Sequence, residues 1–210
     1  MIRKYPCVVV ADGLFPSRPS LLEILREAEI VIACDGATAT LLEHNIIPTA
    51  IVGDMDSIPE ALKKQFADRI HKDNDQECND LTKAVRYAQS LQQREVLILG
   101  ATGLREDHML GNISLLADYA ASFDQVEMAS DHGLFTPISK TTTFASVPGQ
   151  QVSFFSLHAG GLVTTDRLRY PLRDKDLTAW WQGTLNEALG TEFSLILSNE
   201  AKMIVFRTWE

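Results

Sequence analysis

Cysteine is scarce in this 210-residue chain, which has only Cys7, Cys34 and Cys78. An odd and sparse set excludes a disulfide framework. Cys7 and Cys34 lie in apolar runs and read as buried thiols. Positive charge is also short: 19 Lys and Arg stand against 28 Asp and Glu, a formal net charge of −9. A duplex nucleic-acid binder needs a cationic surface, so no nucleic-acid partner is expected. No apolar run approaches the roughly 20 residues of a membrane span, so no membrane partner is expected either. The basic start Met1-Ile-Arg-Lys-Tyr-Pro leads into an apolar run, Cys7 to Ala11, that stops at Asp12. That run is too short for a signal-peptide core, and the expected setting is reducing and cytoplasmic. Internal repeats and low-complexity tracts are absent, as are the Walker pattern G-K-[ST] and the dinucleotide fingerprint G-x-G-x-x-G.

Hydrophobic residues make up 45% of the chain and charged residues 22%, ordinary for a globular protein. The length allows one domain or two. In the first half, short apolar runs at Cys7–Ala11, Ile30–Cys34, Ala50–Val52 and Val96–Leu99 alternate with helical patterns. Runs that are apolar on both faces predict parallel strands covered by helices, hence an α/β domain with a mostly parallel sheet. Ser20-Leu-Leu-Glu23 and Ser57-Ile-Pro-Glu60 have capping-box spacing and predict two helix starts. Further helices are predicted over Asn79 to Gln92 and Asp107 to Phe123 from apolar spacings of three and four. After about Phe123 the period changes. Strand-like segments at 126–129, 142–147, 152–157, 162–165, 193–197 and 203–206 are separated by Pro148-Gly149 and Gly160-Gly161. They predict a smaller antiparallel all-β sandwich, with the boundary near residue 135: 1–135 α/β, 136–210 β.

The acids collect where an open parallel sheet binds ligands, at the carboxyl ends of its strands. Asp12-Gly13, Asp35-Gly36, Gly53-Asp-Met-Asp-Ser57 and the stretch from Gly100 to His108 each follow a strand. One such turn reflects the ordinary preference of Gly and Asp for turns; four together favour a site. Asp54 and Asp56 are two apart, which at the end of an extended segment puts both carboxylates on one side, ready for one Mg²⁺. The competing reading is acids that favour the next helix N-terminus, with Ser57 a helix cap. In Asp75 to Lys83, Asn79 or Asp80 caps a helix and Asp80 pairs with Lys83, or Asp80 joins the cation and Lys83 meets a phosphate. Gly100 to His108 is a turn suited to an anion, with Arg105 as a phosphate grip. There Asp107 also reads as an N-cap and His108 as a surface residue. Of Trp180 and Trp181, adjacent and so pointing differently, at least one is open to stack on a flat heteroaromatic or a cation, the alternative being a core Trp with an exposed neighbour.

In order, Asp35-Gly36, G-D-x-D-S (Gly53 to Ser57), D-Q-x-x-x-D-x-x-K (Asp75 to Lys83) and G-x-x-G-x-R-x-D-H-x-x-x-N (Gly100 to Asn112) resemble the thiamine pyrophosphokinase family. Leu168-Arg-Tyr-Pro-Leu172 and Gly183-Thr-Leu-Asn-Glu187 are similar to its G-L-x-Y-P-L and G-T-S-N-E elements. The resemblance implies a catalytic α/β domain binding ATP and metal, a thiamine-binding β-sandwich, and a homodimer with active sites between subunits. It implies Mg²⁺-dependent transfer of a diphosphoryl group from ATP to thiamine, releasing AMP. By motif, Asp54, Asp56 and Asp80 hold metal and phosphates, and Gln76 and Arg105 contact phosphate or substrate. Asp107 organises the loop or the substrate, Asp35 and Lys83 are on the substrate side, and Trp181, Thr184 and Asn186 form the thiamine pocket. The chain departs from the family's D-G-G-A-N at Ala37-Thr-Ala39, from its G-G-R-F-D-H at Leu104 and Glu106, and from the Ser of G-T-S-N-E at Leu185. Two rival readings are a pyrophosphokinase for another heterocyclic alcohol, such as a pterin, and a non-catalytic nucleotide or thiamine sensor.

Overall fold

The computed structural model describes residues 3–198 and 200–209. Met1 and Ile2, the first residues of the basic start, lie outside them. Two compact units divide the chain, Met1–Asp131 and His132–Glu210.

The first unit is a parallel sheet of six strands: β1 (Cys7–Val10), β2 (Ile30–Cys34), β3 (Ala50–Gly53), β4 (Ile70–Lys72), β5 (Glu95–Leu99) and β6 (Gln125–Ser130). Their order is β6-β5-β1-β2-β3-β4, and every pair is parallel. All four residues of β1 and of β3 are buried. Successive strand residues point to opposite faces, so burial of consecutive residues means that both faces are covered. The chain runs outward from β1 to β4, then returns to the other side of β1 as β5. The loops after β1 and β5 therefore part company at the topological switch point. Register brings Val10 level with Ala33 and with Leu99. The loops that begin at Ala11, Asp35 and Gly100 thus emerge along one edge.

Five helices connect the strands: α1 (Pro19–Glu27), α2 (Ala37–Glu43), α3 (Glu60–Gln65), α4 (Asp80–Ser90) and α5 (Glu106–Tyr119). Neither expected serine cap forms. α1 starts at Pro19, whose ring suits a first helical position, and its Arg18 cap makes no side-chain cap bond. The backbone before it is held instead by Asp131, which accepts from the Ser17 and Arg18 N–H groups at 2.9 Å. α3 starts at Glu60 after Pro59, and the Ser57 N–H turns to Asp35 instead. Asn79 does cap α4, accepting from the Thr82 N–H at 2.9 Å. Asp107 is not a cap either, because α5 starts one residue earlier. Residues 126–129, grouped by composition with the antiparallel half, form β6 and pair parallel with β5. α2 is short and Thr-containing, and β4 has three residues, two of them polar, so neither carries a legible period.

The second unit is antiparallel throughout. One sheet is β12 (Asn186–Glu187), β9 (Gln151–Ser156), β14 (Met203–Thr208) and β7 (Gly133–Ile138), in that order. The other is β11 (Lys175–Asp176), β10 (Leu162–Asp166), β13 (Glu192–Ser198) and β8 (Thr142–Ala145). Inward residues from both sheets share one core, with Val152, Phe154, Met203 and Val205 meeting Phe144, Val163, Phe193 and Leu195. This is the expected sandwich. It also contains β7, a strand that its internal Pro137 masks in the sequence pattern. Among the described residues, no helix is long and apolar enough to cross a membrane.

Candidate active site

A cavity of about 400 Å³ opens in the first unit at the switch point. Its walls are the loops after β1, β2 and β5, the start of α4 and the first turns of α5, including Asp12, Asp35, Asp80, Gly100, Arg105 and Asn112. The two loops that part there are tied by backbone bonds. The Gly13 N–H donates to the Gly100 carbonyl at 2.6 Å, and the Leu14 N–H to the Thr102 carbonyl at 2.9 Å. Gly100 has φ +66°, and a Cβ there would collide with the Ala11 carbonyl oxygen. Only glycine meets both demands. Asn112 ties the third wall. Its amide donates to the Ala101 carbonyl at 2.9 Å and its oxygen accepts from Asn79 at 3.1 Å.

Three carboxylates converge at this edge. Asp35, Asp54 and Asp80 each bring an oxygen within 4.8 Å of the other two. Asp35 is only 2% exposed. Burial, then the charge of Asp80, pushes its carboxyl up, while the Gly36 and Ser57 N–H groups pull it down. The Gly36 N–H bond is 2.8 Å. Lys83, 3% exposed, donates to Asp80 Oδ1 at 2.9 Å. Burial works against its charge, but the Asp80 hydrogen bond and the charges of Asp80 and Asp54 outweigh it and hold the ammonium above its ordinary value. Asp12 approaches from β1. A Cβ on Gly36 would collide with Asp12 Oδ2, so the glycine makes room for that carboxylate. Partial burial raises the Asp12 carboxyl. The buried Cys34 thiol is pushed up by burial and then by the charges of Asp80, Asp35 and Asp12.

Asp56 is not in the cluster. Met55 between it and Asp54 has φ +72° and packs inward with Ile51, Ile58 and Phe66. The segment is therefore not extended at Met55, the premise from which the shared side was expected, and Asp56 lies outside the converging group. Asp56 is exposed, and its N–H donates to Asp54 Oδ1 at 3.1 Å. Asp35 takes the third position. Its place after β2, level with the end of β3, was the available signal, as was that of Asp12 after β1.

Two of the residues expected to meet phosphate or substrate, Arg105 and Asp107, sit at the start of α5. Arg105 is exposed and grips Asp107 through two bonds, Nε to Oδ1 at 3.1 Å and Nη2 to Oδ2 at 2.6 Å. That pairing, then the His108 N–H, lowers the Asp107 carboxyl to about 2. His108 lines the cavity. Gln76 is exposed in the loop before α4.

The remaining expected residues belong to the second unit. Trp181 is 74% exposed, Trp180 41%. Trp180 is anchored: its indole N–H donates to the Ser156 carbonyl at 3.1 Å, and its ring meets Phe155 edge-on. Thr184 is exposed, and its hydroxyl donates to the Trp181 carbonyl at 2.8 Å. Asn186 is buried.

A family model described as "Thiamin pyrophosphokinase, catalytic domain" matches residues 21–128, and "Thiamin pyrophosphokinase, substrate-binding domain" matches 133–206. A thiamine pyrophosphokinase of Bacillus subtilis (strain 168) is 38% identical over 114 residues, 51% of this chain and 52% of that protein. The chain thus matches about half the length of that relative. Thiamine pyrophosphokinase 2 of Oryza sativa subsp. japonica is 33% identical over 203 residues, 82% of this chain and 74% of the relative. Among solved structures, a Bacillus subtilis thiamine pyrophosphokinase superposes with a TM-score of 0.80 at 23% identity, covering 96% of this chain and 98% of that one. The yeast thiamin pyrophosphokinase structure gives 0.78 at 15%, covering 99% and 88%. At such identities these two speak for the fold alone. The two family models, in order and one on each unit, join the rice relative in a single assignment: the chain belongs to the thiamine pyrophosphokinase family.

Proposed function

We propose that the protein transfers a diphosphoryl group from ATP to the hydroxyl of thiamine, giving thiamine diphosphate and AMP. The observation that carries this reading is the convergence of Asp35, Asp54 and Asp80 beside the buried Lys83 at the edge of the cavity. Three carboxylates within reach of one another are hard oxygen donors and fit a divalent cation such as Mg²⁺. When bound, that cation supplies positive charge against phosphate oxygens. Asp56 remains a candidate contributor from the turn that follows.

The side chains divide the rest of the work. The thiamine hydroxyl gives up its proton to a carboxylate or to solvent and its oxygen bonds to the β-phosphorus of ATP, while the bond from that phosphorus to the α,β-bridging oxygen breaks and AMP leaves with that oxygen. Lys83 is held charged by Asp80 and offers its remaining N–H groups to phosphate. Arg105 grips phosphate bidentately, with Asp107 fixing its orientation and Gln76 a further contact. Backbone N–H groups of the Gly100–Gly103 turn, before α5, suit an anion. A γ-phosphoryl kinase cradles the terminal phosphates with a Walker Lys-Ser/Thr pair or with a Gly-rich loop and a strand lysine. The chain carries neither, which supports attack at the β-phosphorus. Trp181 and Thr184 belong to the thiamine side. We further read the protein as a cytoplasmic homodimer with active sites between subunits; three free cysteines suit a reducing compartment.

Incubation with ATP, Mg²⁺ and thiamine, followed by nucleotide separation, tests the reading. Thiamine-dependent AMP with thiamine diphosphate is the expected result. ADP with thiamine monophosphate would reject the mechanism. Turnover of a pterin alcohol without turnover of thiamine would reject the substrate.

A further inference from the structure

A line of polar side chains runs along the seam between α4 and α5. Tyr119, the last residue of α5, is buried, and its hydroxyl lies 2.7 Å from that of the buried Thr82 in α4. Burial pushes the Tyr119 phenol up to about 12, so it keeps its proton. The Thr82 hydroxyl donates to Asn79 Oδ1 at 2.8 Å, and the Thr82 N–H donates to the same oxygen at 2.9 Å. Asn79 Nδ2 donates to Asn112 Oδ1 at 3.1 Å, and Asn112 Nδ2 to the Ala101 carbonyl at 2.9 Å. Asn112 and Tyr119 stand two helical turns apart and so share one face of α5.

These bonds can run in one direction only. A backbone carbonyl accepts and never donates, which turns the Asn112 nitrogen toward Ala101 and its oxygen toward Asn79. The Thr82 N–H needs an acceptor, which turns the Asn79 oxygen toward Thr82. A threonine hydroxyl has one proton, and Asn79 takes it, so Tyr119 donates to Thr82. Tyr119, Thr82, Asn79 and Asn112 are thus donors in series that close on the Ala101 carbonyl, and each bond polarises the next. Tyr119 and Thr82 do not line the cavity; Asn79, Asn112 and Ala101 do. Asn79 is also the cap that starts α4, and Asp80 of the acid cluster is the next residue. The chain therefore ties Asp80 to the turn that begins at Gly100.

We propose that Tyr119 and Thr82 are positioning residues for the diphosphoryl transfer: the donor chain that starts at the Tyr119 hydroxyl holds Asp80 and the Gly100–Gly103 turn in fixed relation for the phosphates of the nucleotide and their cation. Neither residue touches substrate. This rests on the functional reading above. Apolar packing alone would hold the two helices together. A directional chain also makes one lost donor felt at the cavity, because each amide keeps its orientation while its neighbour holds it, and small misplacements of the groups that bind the reacting phosphates are costly to the reaction.

The test compares two changes of the same chemistry, Tyr119→Phe and Tyr5→Phe. Tyr5 is buried as well, but its hydroxyl donates to Glu127 and it precedes β1, at the opposite edge of the sheet from the site. Each change removes one buried hydrogen bond and should lower Tm by a few degrees. Only Tyr119→Phe should raise the ATP KM and the Mg²⁺ concentration for half-maximal rate, by roughly two- to tenfold. It should also shrink the rise in Tm that ATP with Mg²⁺ produces, while the thiamine KM stays within about twofold. Thr82→Val breaks the chain at its second member and should do at least as much. Thr82→Ser keeps the hydroxyl and should recover most of that loss. Tyr119→Phe combined with Thr82→Val should be no worse than Thr82→Val alone. If Thr82→Val fails to fold, Tyr119→Phe against Tyr5→Phe decides. A lowered Tm in Tyr119→Phe with its ATP and Mg²⁺ parameters unchanged, or equal shifts of those parameters in Tyr5→Phe, would overturn the inference alone. Absence of thiamine turnover by the unaltered protein would overturn the functional reading, and the ATP–Mg²⁺ rise in Tm would still decide the positioning role. An unaltered protein that shows neither turnover nor that rise would overturn both.

Discussion

The Lys83 ammonium reaches Asp80 Oδ1 at 2.9 Å from a buried position one helical turn along α4. The cation is out of water, and its counter-ion is one of three converging acids. Removing it strands negative charge at the cluster. Lys83→Met should lower stability by about 1–3 kcal/mol, less than the loss from breaking a fully buried pair because Asp80 is partly exposed. It should also cut turnover at least about a hundredfold by removing a charge offered to phosphate. Chemical denaturation and steady-state rates read the two effects separately.

The acid cluster sets a ranking. Asp35→Asn, Asp54→Asn and Asp80→Asn should each raise the Mg²⁺ concentration needed for half-maximal rate about tenfold or more. Asp56→Asn should give the smallest shift of the four, because its carboxylate lies outside the converging set. Rate against Mg²⁺ titrations decide this; an Asp56→Asn shift as large as the others would put it among the ligands.

Asp12 carries a pH signature. Partial burial raises its carboxyl in the folded state. A raised acid is neutral in both states at low pH and costs stability once pH climbs from the unfolded value through the folded one. Asp12→Asn should therefore raise Tm at pH 7 in the absence of divalent cation, and the gain should vanish below about pH 3.5. Thermal melts at the two pH values test the sign.

The neighbouring tryptophans should separate cleanly. Trp180→Ala removes a hydrogen bond to Ser156 and an edge contact with Phe155, and should cost about 1–3 kcal/mol of stability. Trp181→Ala removes a ring that is mostly in water and should leave Tm nearly unchanged. It should raise the thiamine KM several-fold more than the ATP KM. Equal melting losses would mean that both rings are structural.

Periodicity in the chain is enough to read the parallel sheet, the later sandwich and the helix that Asn79 caps, because burial on both faces and turn residues leave local marks. Weaker elements leave none. β4 is a short edge strand, α2 is only seven residues long, and β6 is hidden among segments of like composition. Which strand it pairs with is a long-range fact.

The order of acidic and glycine motifs lies in the sequence alone, and with it the family and the edge of the sheet that carries the site. Tertiary structure decided which acidic side chains converge at that edge. Parallel register, which pairs Cys34 with Val52, brought the loop residue Asp35 beside the end of β3 and Asp54, and the inward turn of Met55 set Asp56 apart. Packing likewise buried the Asn186 amide against Tyr170 and left the Tyr170 ring exposed. Spacing along a chain reports which residues are near in sequence. Backbone dihedrals, register and burial, which depend on distant residues, determine which side chains meet and which of them still have atoms free for a ligand.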